Sequence, residues 1–109
     1  MKFRVELTRD AESDLNRLAD YIATHQSIEQ SAYVLDQLEA VTAKLATFPA
    51  RGAFPPELAA LGIREYRQVF FKPYRLIYRI IIDRVVVMIV ADGRRDMGAL
   101  LAERLLNPQ

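Results

Sequence analysis

Between Phe3 and Leu7 apolar and charged residues alternate, with Phe3, Val5 and Leu7 set against Lys2, Arg4 and Glu6. This period-two pattern predicts a short strand with one buried face. The period then changes: Ala11, Leu15, Leu18, Ala19 and Ile22 recur at helical spacing behind Thr8, whose hydroxyl suits an N-cap. Asp10, Glu12 and Asp14 load the first turns, where the helix dipole favours negative charge, so a first helix is expected to about Thr24. Ser27 and Gln30 have capping-box spacing, and Ala32, Leu35, Leu38, Val41 and Leu45 carry an apolar stripe until Pro49 stops it. This second helix is the longer one. Only a few residues around His25 separate the two, so they fold back as an antiparallel hairpin whose stripes face a common surface.

The segment Phe48 to Gly62 holds three of the five prolines and two of the four glycines, and reads as a loop with one short helical turn at Glu57 to Leu61. Three apolar stretches follow: Arg64 to Phe71, Tyr74 to Ile82 and Val85 to Ala91. Their connections, Lys72-Pro73 and Asp83-Arg84, are short enough for antiparallel hairpins, which predicts a meander. In the middle stretch Tyr74, Leu76, Tyr78, Ile80 and Ile82 fall on one face. Arg75, Ile77, Arg79 and Ile81 fall on the other, so Arg75 and Arg79 project together. Met97, Leu100, Leu101 and Leu105 return to helical spacing behind Arg94, Arg95 and Asp96. The expected order is β-αα-βββ-α: an α+β fold with an antiparallel helical hairpin packed on an antiparallel sheet and a C-terminal helix. Residues 1–109 show no repeat and no low-complexity tract, and are read as a single domain.

Composition bounds the function. At 109 residues, 51% hydrophobic and 27% charged, the chain has the means for one core under a solvated surface. It contains no cysteine, which removes disulfides, thiolate nucleophiles and zinc–sulfur sites and suits a reducing, intracellular compartment. The opening MKFRVELTRD has no signal-like apolar run, and the runs Ile80 to Ile82 and Val85 to Ala91 fall far short of the roughly 20 residues that span a bilayer, so a cytoplasmic protein without a membrane partner is expected. The net charge of +1 is unevenly placed: residues 1–62 carry six Lys/Arg and nine Asp/Glu, whereas residues 63–95 carry eight and three. Such a concentration suits an anionic partner, either nucleic acid or an acidic protein segment; scattered solvated arginines are the plainer alternative.

Several chemistries are missing. The single histidine, His25, lies between the helices, and the carboxylates are expected mostly along exposed helix faces, so no metal ligand set forms. No phosphate-cradling glycine motif is present, and Ser13, Ser27 and Ser31 lie on or beside the hairpin with no histidine triad. No cofactor is called for. What remains is a set of arginines, Lys72 and tyrosines, which bind phosphates and stabilise developing negative charge but make poor bases.

The order of elements, with Tyr74-Arg75-Leu76-Ile77-Tyr78 on the middle strand and Gly93-Arg94-Arg95 after the last, resembles the RelE/ParE superfamily of type II toxins. LTRDAESDLNRLADYIA is similar to the family's opening strand and helix, and FPARG-x-x-PPEL to its helix-to-sheet loop. The resemblance spans nearly the whole chain and implies a toxin neutralised by a cognate antitoxin, as a hetero-oligomer. It carries two functions, because RelE-like members cleave mRNA on the ribosome and ParE-like members poison DNA gyrase without being nucleases. For a nuclease it implies Arg75 and Arg95 at the scissile phosphate, with Lys72 in place of one of that branch's lysines; the expected tyrosine falls near Leu101, where MGALLAERLL has no aromatic group, which leaves Tyr74 or Tyr78 to reach the site. The long hairpin is more like the ParE branch, in which no residue is catalytic and Arg75, Arg79, Arg94, Arg95, Tyr74 and Tyr78 are the candidates for contact with the target or a phosphate. In the plainer alternative Arg75 pairs with a helix carboxylate and the DGRRD turn closes on itself through Asp92 and Asp96. A member that has lost toxicity and only binds a partner remains a third reading. The antitoxin is expected on the exposed apolar side of the sheet and hairpin, since a segment that orders on binding must bury apolar area.

Overall fold

The computed structural model describes residues 2–106. Strand β1 (Arg4–Leu7) leads into helices α1 (Arg9–His25) and α2 (Ile28–Ala43), followed by 3-10 turns at Lys44–Ala46 and Pro49–Arg51 and the single-turn helix α3 (Pro56–Ala59). The meander is β2 (Arg67–Phe71), β3 (Tyr74–Ile81) and β4 (Arg84–Asp92), and α4 (Met97–Leu101) runs on into a π-helical turn at Ala102–Leu106. Both expected caps are formed: Ala11 N–H donates to Thr8 Oγ1 at 3.1 Å and Gln30 N–H to Ser27 Oγ at 2.9 Å. The second helix ends earlier than its apolar stripe. Pro49 forces Phe48 out of helical geometry, to φ −128° and ψ 72°, and the preceding turn tightens into the 3-10 segment.

The sheet order is β1-β4-β3-β2. The meander is antiparallel as expected, but β1 joins β4 in parallel, so the sheet is mixed. Alternation of apolar residues shows which face is buried and carries no information about strand direction. The β3–β4 turn also lies one residue earlier than expected: Ile81 pairs with Arg84, leaving Ile82 and Asp83 as the turn. Ile82, expected on the same strand face as Tyr74, Leu76, Tyr78 and Ile80, is instead in the turn, 91% exposed with φ +57°. A bulge interrupts the ladder, since Ile77 pairs with Ile89 and Tyr78 with Val87, leaving Met88 as the extra residue.

Each face of the sheet carries its own core. Under the hairpin, Ala11, Ile22, Val34 and Leu38 close on Leu76, Tyr78, Val85 and Val87. Beneath the other face, Leu58, Tyr66, Met97, Leu100 and Leu101 close on Ile77, Ile89 and Ala91. Burying a side chain of this size contributes roughly 1.5–3 kcal/mol, so both layers hold the sheet.

An ion pair joins the two layers at the end of β4. Strand β1 is too short to accompany β4 past Val87, which leaves later edge groups of β4 without a strand partner. Val90 N–H donates instead to Asp14 Oδ2 at 3.0 Å, and Met88 C=O accepts from Arg104 Nη2 at 3.1 Å. Arg104 itself donates to both oxygens of Asp14, at 3.1 and 2.8 Å. With side-chain exposures of 14% for Arg104 and 8% for Asp14, this pair replaces a missing strand. Asp14 is thus an exception to the expectation of carboxylates on exposed helix faces. Among the described residues no helix is long and apolar enough to cross a membrane.

Candidate functional site

Arg75 and Arg79 do share a face of β3, as the alternation requires, but their surroundings differ. Arg75, next to the β2–β3 turn, is buried. Its Nη1 and Nη2 donate to the two oxygens of Glu57 on α3 at 2.8 and 2.9 Å, and its Nε and Nη2 donate to Gln68 Oε1 on β2, the former at 3.0 Å. The guanidinium holds the Glu57 carboxyl below its ordinary value, against the opposite effect of burial. Gly93 closes the clamp from above. Its N–H donates to Pro73 C=O at 2.7 Å, and a Cβ there would stand 2.9 Å from Arg75 Cδ. The glycine of the G-R-R turn is therefore the residue that lets the chain lie across the arginine stem.

The remaining candidates divide between structural and accessible. Tyr78 is fully buried; its hydroxyl donates to Pro49 C=O at 2.6 Å and accepts from Gly52 N–H at 3.1 Å, and burial pushes its pKa up. It anchors the loop before α3 and offers nothing to a target. Tyr74 is also buried, with its phenol pKa pushed up first by burial and then by Asp92. Arg94 is exposed but donates to both oxygens of Asp92, the shortest contact being 2.6 Å, and the guanidinium lowers the Asp92 pKa. Asp96 does not take part in that turn as an ion pair; it caps α4, accepting from Ala99 N–H at 3.0 Å. Lys72 and Arg95 are exposed at the same end of the sheet. Arg95 lines a hollow of about 530 Å³ with Arg17, Tyr21 and Tyr74. Leu101, at the position that the resemblance gives to the nuclease tyrosine, is 1% exposed in the second core.

Arg79 lies at the other end of β3, over the ring of Tyr66 at 5.7 Å, with its nearest carboxylate, Glu65, 3.8 Å away. Beside it Arg64 and Arg67 both lie over Phe54, at 5.6 and 4.5 Å. Periodicity does not reveal this grouping, because Phe54 is in the proline-rich loop and meets the arginines only through tertiary folding. His25 stacks on Tyr21 with centroids 4.1 Å apart. Among the described residues no three His, Asp or Glu side chains gather as a metal site. The arrangement can hold anions at its exposed arginines, while its buried arginine is already neutralised.

A helical hairpin on one face of a four-stranded sheet and a short C-terminal helix on the other make an α+β arrangement that solved structures share. The fold is similar to that in a structure of the chromosomal ParDE TA system from P. aeruginosa, with a TM-score of 0.70 and 15% identity, covering 84% of this chain and 96% of that one. It is also similar to a chain of the toxin-antitoxin complex RelBE2 from Mycobacterium tuberculosis, with a TM-score of 0.58 and 24% identity over 84% of this chain and 99% of the other. Toxin ParE3 of Caulobacter vibrioides is 28% identical over 101 residues, 93% of this chain and 97% of the relative. Residues 5–97 match the family described as the ParE toxin of type II toxin-antitoxin system, parDE. The chain belongs to that family of ParE toxins.

Proposed function

We propose that this toxin acts in the cytoplasm by binding DNA gyrase, without cutting RNA, and that a cognate antitoxin neutralises it. The observation that carries the choice is the Arg75 clamp. A nuclease of this superfamily needs that guanidinium for the scissile phosphate, whereas here Glu57 holds it in a bidentate pair and Gln68 takes further donors. The buried Leu101 supports the same reading. For the antitoxin, a cleft of about 480 Å³ opens between hairpin and sheet, lined by apolar Val5, Leu7, Leu15, Leu35 and Val87. Such a cleft suits a segment that orders on binding and must bury apolar surface to offset its lost entropy. The single chain acts as one domain in this scheme.

The test is pulse-labelling of DNA and protein synthesis in bacterial cells during the first minutes of induced expression, with Arg75→Ala as a parallel strain. DNA synthesis stalling first, with DNA breaks, supports gyrase as the target. Translation stalling first replaces it with the ribosomal nuclease, with Lys72 and Arg95 as its remaining cations. No effect on either would remove toxicity itself. Co-expression of its cognate antitoxin should restore growth in the first two outcomes.

A further inference from the structure

The structure sorts the cations that the sequence concentrates between residues 63 and 95. Arg75, Arg84 and Arg94 each have a carboxylate close by: Glu57 at 2.8 Å, Glu6 at 3.1 Å and Asp92 at 2.6 Å. Arg64, Arg67 and Arg79 gather elsewhere, where β2 begins and β3 runs on past it. They line a shallow hollow of about 280 Å³ with Glu65 and Ile80. Glu65 is the sole carboxylate of that lining, and it is 65% exposed and 3.8 Å from Arg79. The Nε of Arg79 is buried with no hydrogen-bond partner among the described residues.

We propose that Arg64, Arg67 and Arg79 form a binding site for the phosphodiester backbone of a nucleic acid. Three features support this chemistry. The guanidiniums of Arg67 and Arg79, laid on the Phe54 and Tyr66 rings, are partly buried before any ligand arrives, so less entropy is lost on binding there, and Arg64 lies exposed over Phe54 beside them. Arg67 Nη1 is held by Ala50 C=O and Gly52 C=O at 3.2 and 2.9 Å, which fixes the side chain through one nitrogen and leaves other donors of the fork. The β3 residues Arg79 to Ile81 have no β2 partner, so this corner of the sheet is open to an extended ligand. An acidic protein segment is the weaker match, because such a segment needs apolar surface to bury and the rings here are already covered by guanidiniums. The site lies at the opposite end of β3 from the clamped Arg75 and does not depend on gyrase as the target.

The experiment is fluorescence anisotropy of the full chain, without gyrase, against labelled duplex DNA and single-stranded RNA of equal length and an acidic peptide, over a salt series. The expected Kd for an oligonucleotide is on the order of 10⁻⁴ to 10⁻⁶ M at physiological salt, and three neutralised phosphates of a duplex give a log–log salt slope of roughly −3. Arg64→Ala and Arg79→Ala should each weaken binding and flatten that slope by about one. Arg67 is left intact because it also holds the loop. Arg9→Ala, an equal charge loss at an exposed position of α1, should leave the slope unchanged. Binding of duplex alone assigns the backbone to DNA, binding of RNA alone assigns it to RNA, and binding of both marks a shared backbone site; each supports the proposal. It is overturned if neither oligonucleotide binds, if the two variants bind like the parent, or if only the acidic peptide binds. Since gyrase is absent from this assay and DNA synthesis is the readout for the target, failure of one reading leaves the other standing.

Discussion

The two faces of the sheet are built on different rules. Under the hairpin, the core positions are apolar or aromatic, and the buried Tyr78 hydroxyl is bonded internally, so residue type goes far to decide what a position does. On the other face, two arginines four residues apart on one strand have opposite fates. Arg75 is enclosed by Glu57, Gln68 and Gly93, whereas Arg79 keeps 36% of its side chain exposed over Tyr66. A charged residue on that face acquires its role from what the distant loops place beside it. In this toxin the loops turned one arginine into part of the fold and left the other at the surface.

The largest effect is expected where the two layers are joined. Asp14→Ala removes the bidentate partner of a mostly buried Arg104, leaving it as carboxylate only the exposed Asp10 at 3.7 Å, and leaves Val90 N–H without an acceptor. Breaking such a pair from one side costs about 3–5 kcal/mol. Urea unfolding should show the midpoint fall accordingly, and pairing Asp14→Ala with Arg104→Met should recover part of the loss, because no buried charge is then left alone. A single-variant loss below about 1 kcal/mol would mean that the layers are held independently.

Tyr78→Phe tests the hairpin face next. The change keeps the ring and deletes the hydroxyl, leaving Pro49 C=O and Gly52 N–H without their partner in a buried site. Leaving such groups unpaired costs about 2 kcal/mol, readable as a lower denaturant midpoint. A neutral outcome would show that solvent reaches the hydroxyl and that this face is less closed than its exposure values indicate.

How much of this was legible beforehand follows the same division. The caps at Thr8 and Ser27, the helical hairpin and the meander depend on local spacing, which the sequence displays directly. The parallel attachment of β1 was not legible, because alternation has no direction, and the Ile82 turn was misplaced because an isoleucine gives no turn signal. At the site, the shared face of Arg75 and Arg79 was legible from alternation, while the identity of their neighbours was not. Glu57 lies 18 residues before Arg75, and Asp14 is 90 residues before Arg104. The plainer alternative for Arg75, pairing with a helix carboxylate, is the one formed.

The Arg75 clamp can be weakened without emptying it. In the folded chain Glu57 has a pKa below its ordinary 4.5, so its contribution to stability is fully present above that value and is lost as pH falls through the folded pKa. Glu57→Gln should therefore destabilise by about 1.5 kcal/mol near pH 7, the difference typical of a hydrogen bond to a charged group. The gap between parent and variant should narrow as pH drops below 4.5. Thermal unfolding of both proteins across that range is the measurement; a gap that persists in acid would mean that the carboxylate charge is not what holds Arg75.

The smallest expected effect is a gain, and it lies where the two faces end. Ile82 is left-handed at φ +57° and 91% exposed, so its branched side chain strains the backbone and buries almost nothing. A left-handed conformation costs an L-residue roughly 1–2 kcal/mol, and asparagine, whose side chain bonds locally, adopts it with less strain. Ile82→Asn should accordingly stabilise the chain by about 0.5–1 kcal/mol. Ile82→Val separates the causes, since valine keeps the branching while reducing exposed apolar surface. If Val raises Tm as much as Asn does, the gain comes from the surface and the backbone argument fails. If only Asn raises it, the turn itself is the source, and the alternation that puts Ile82 on one face with Ile80 stops at Ile81 for a conformational reason.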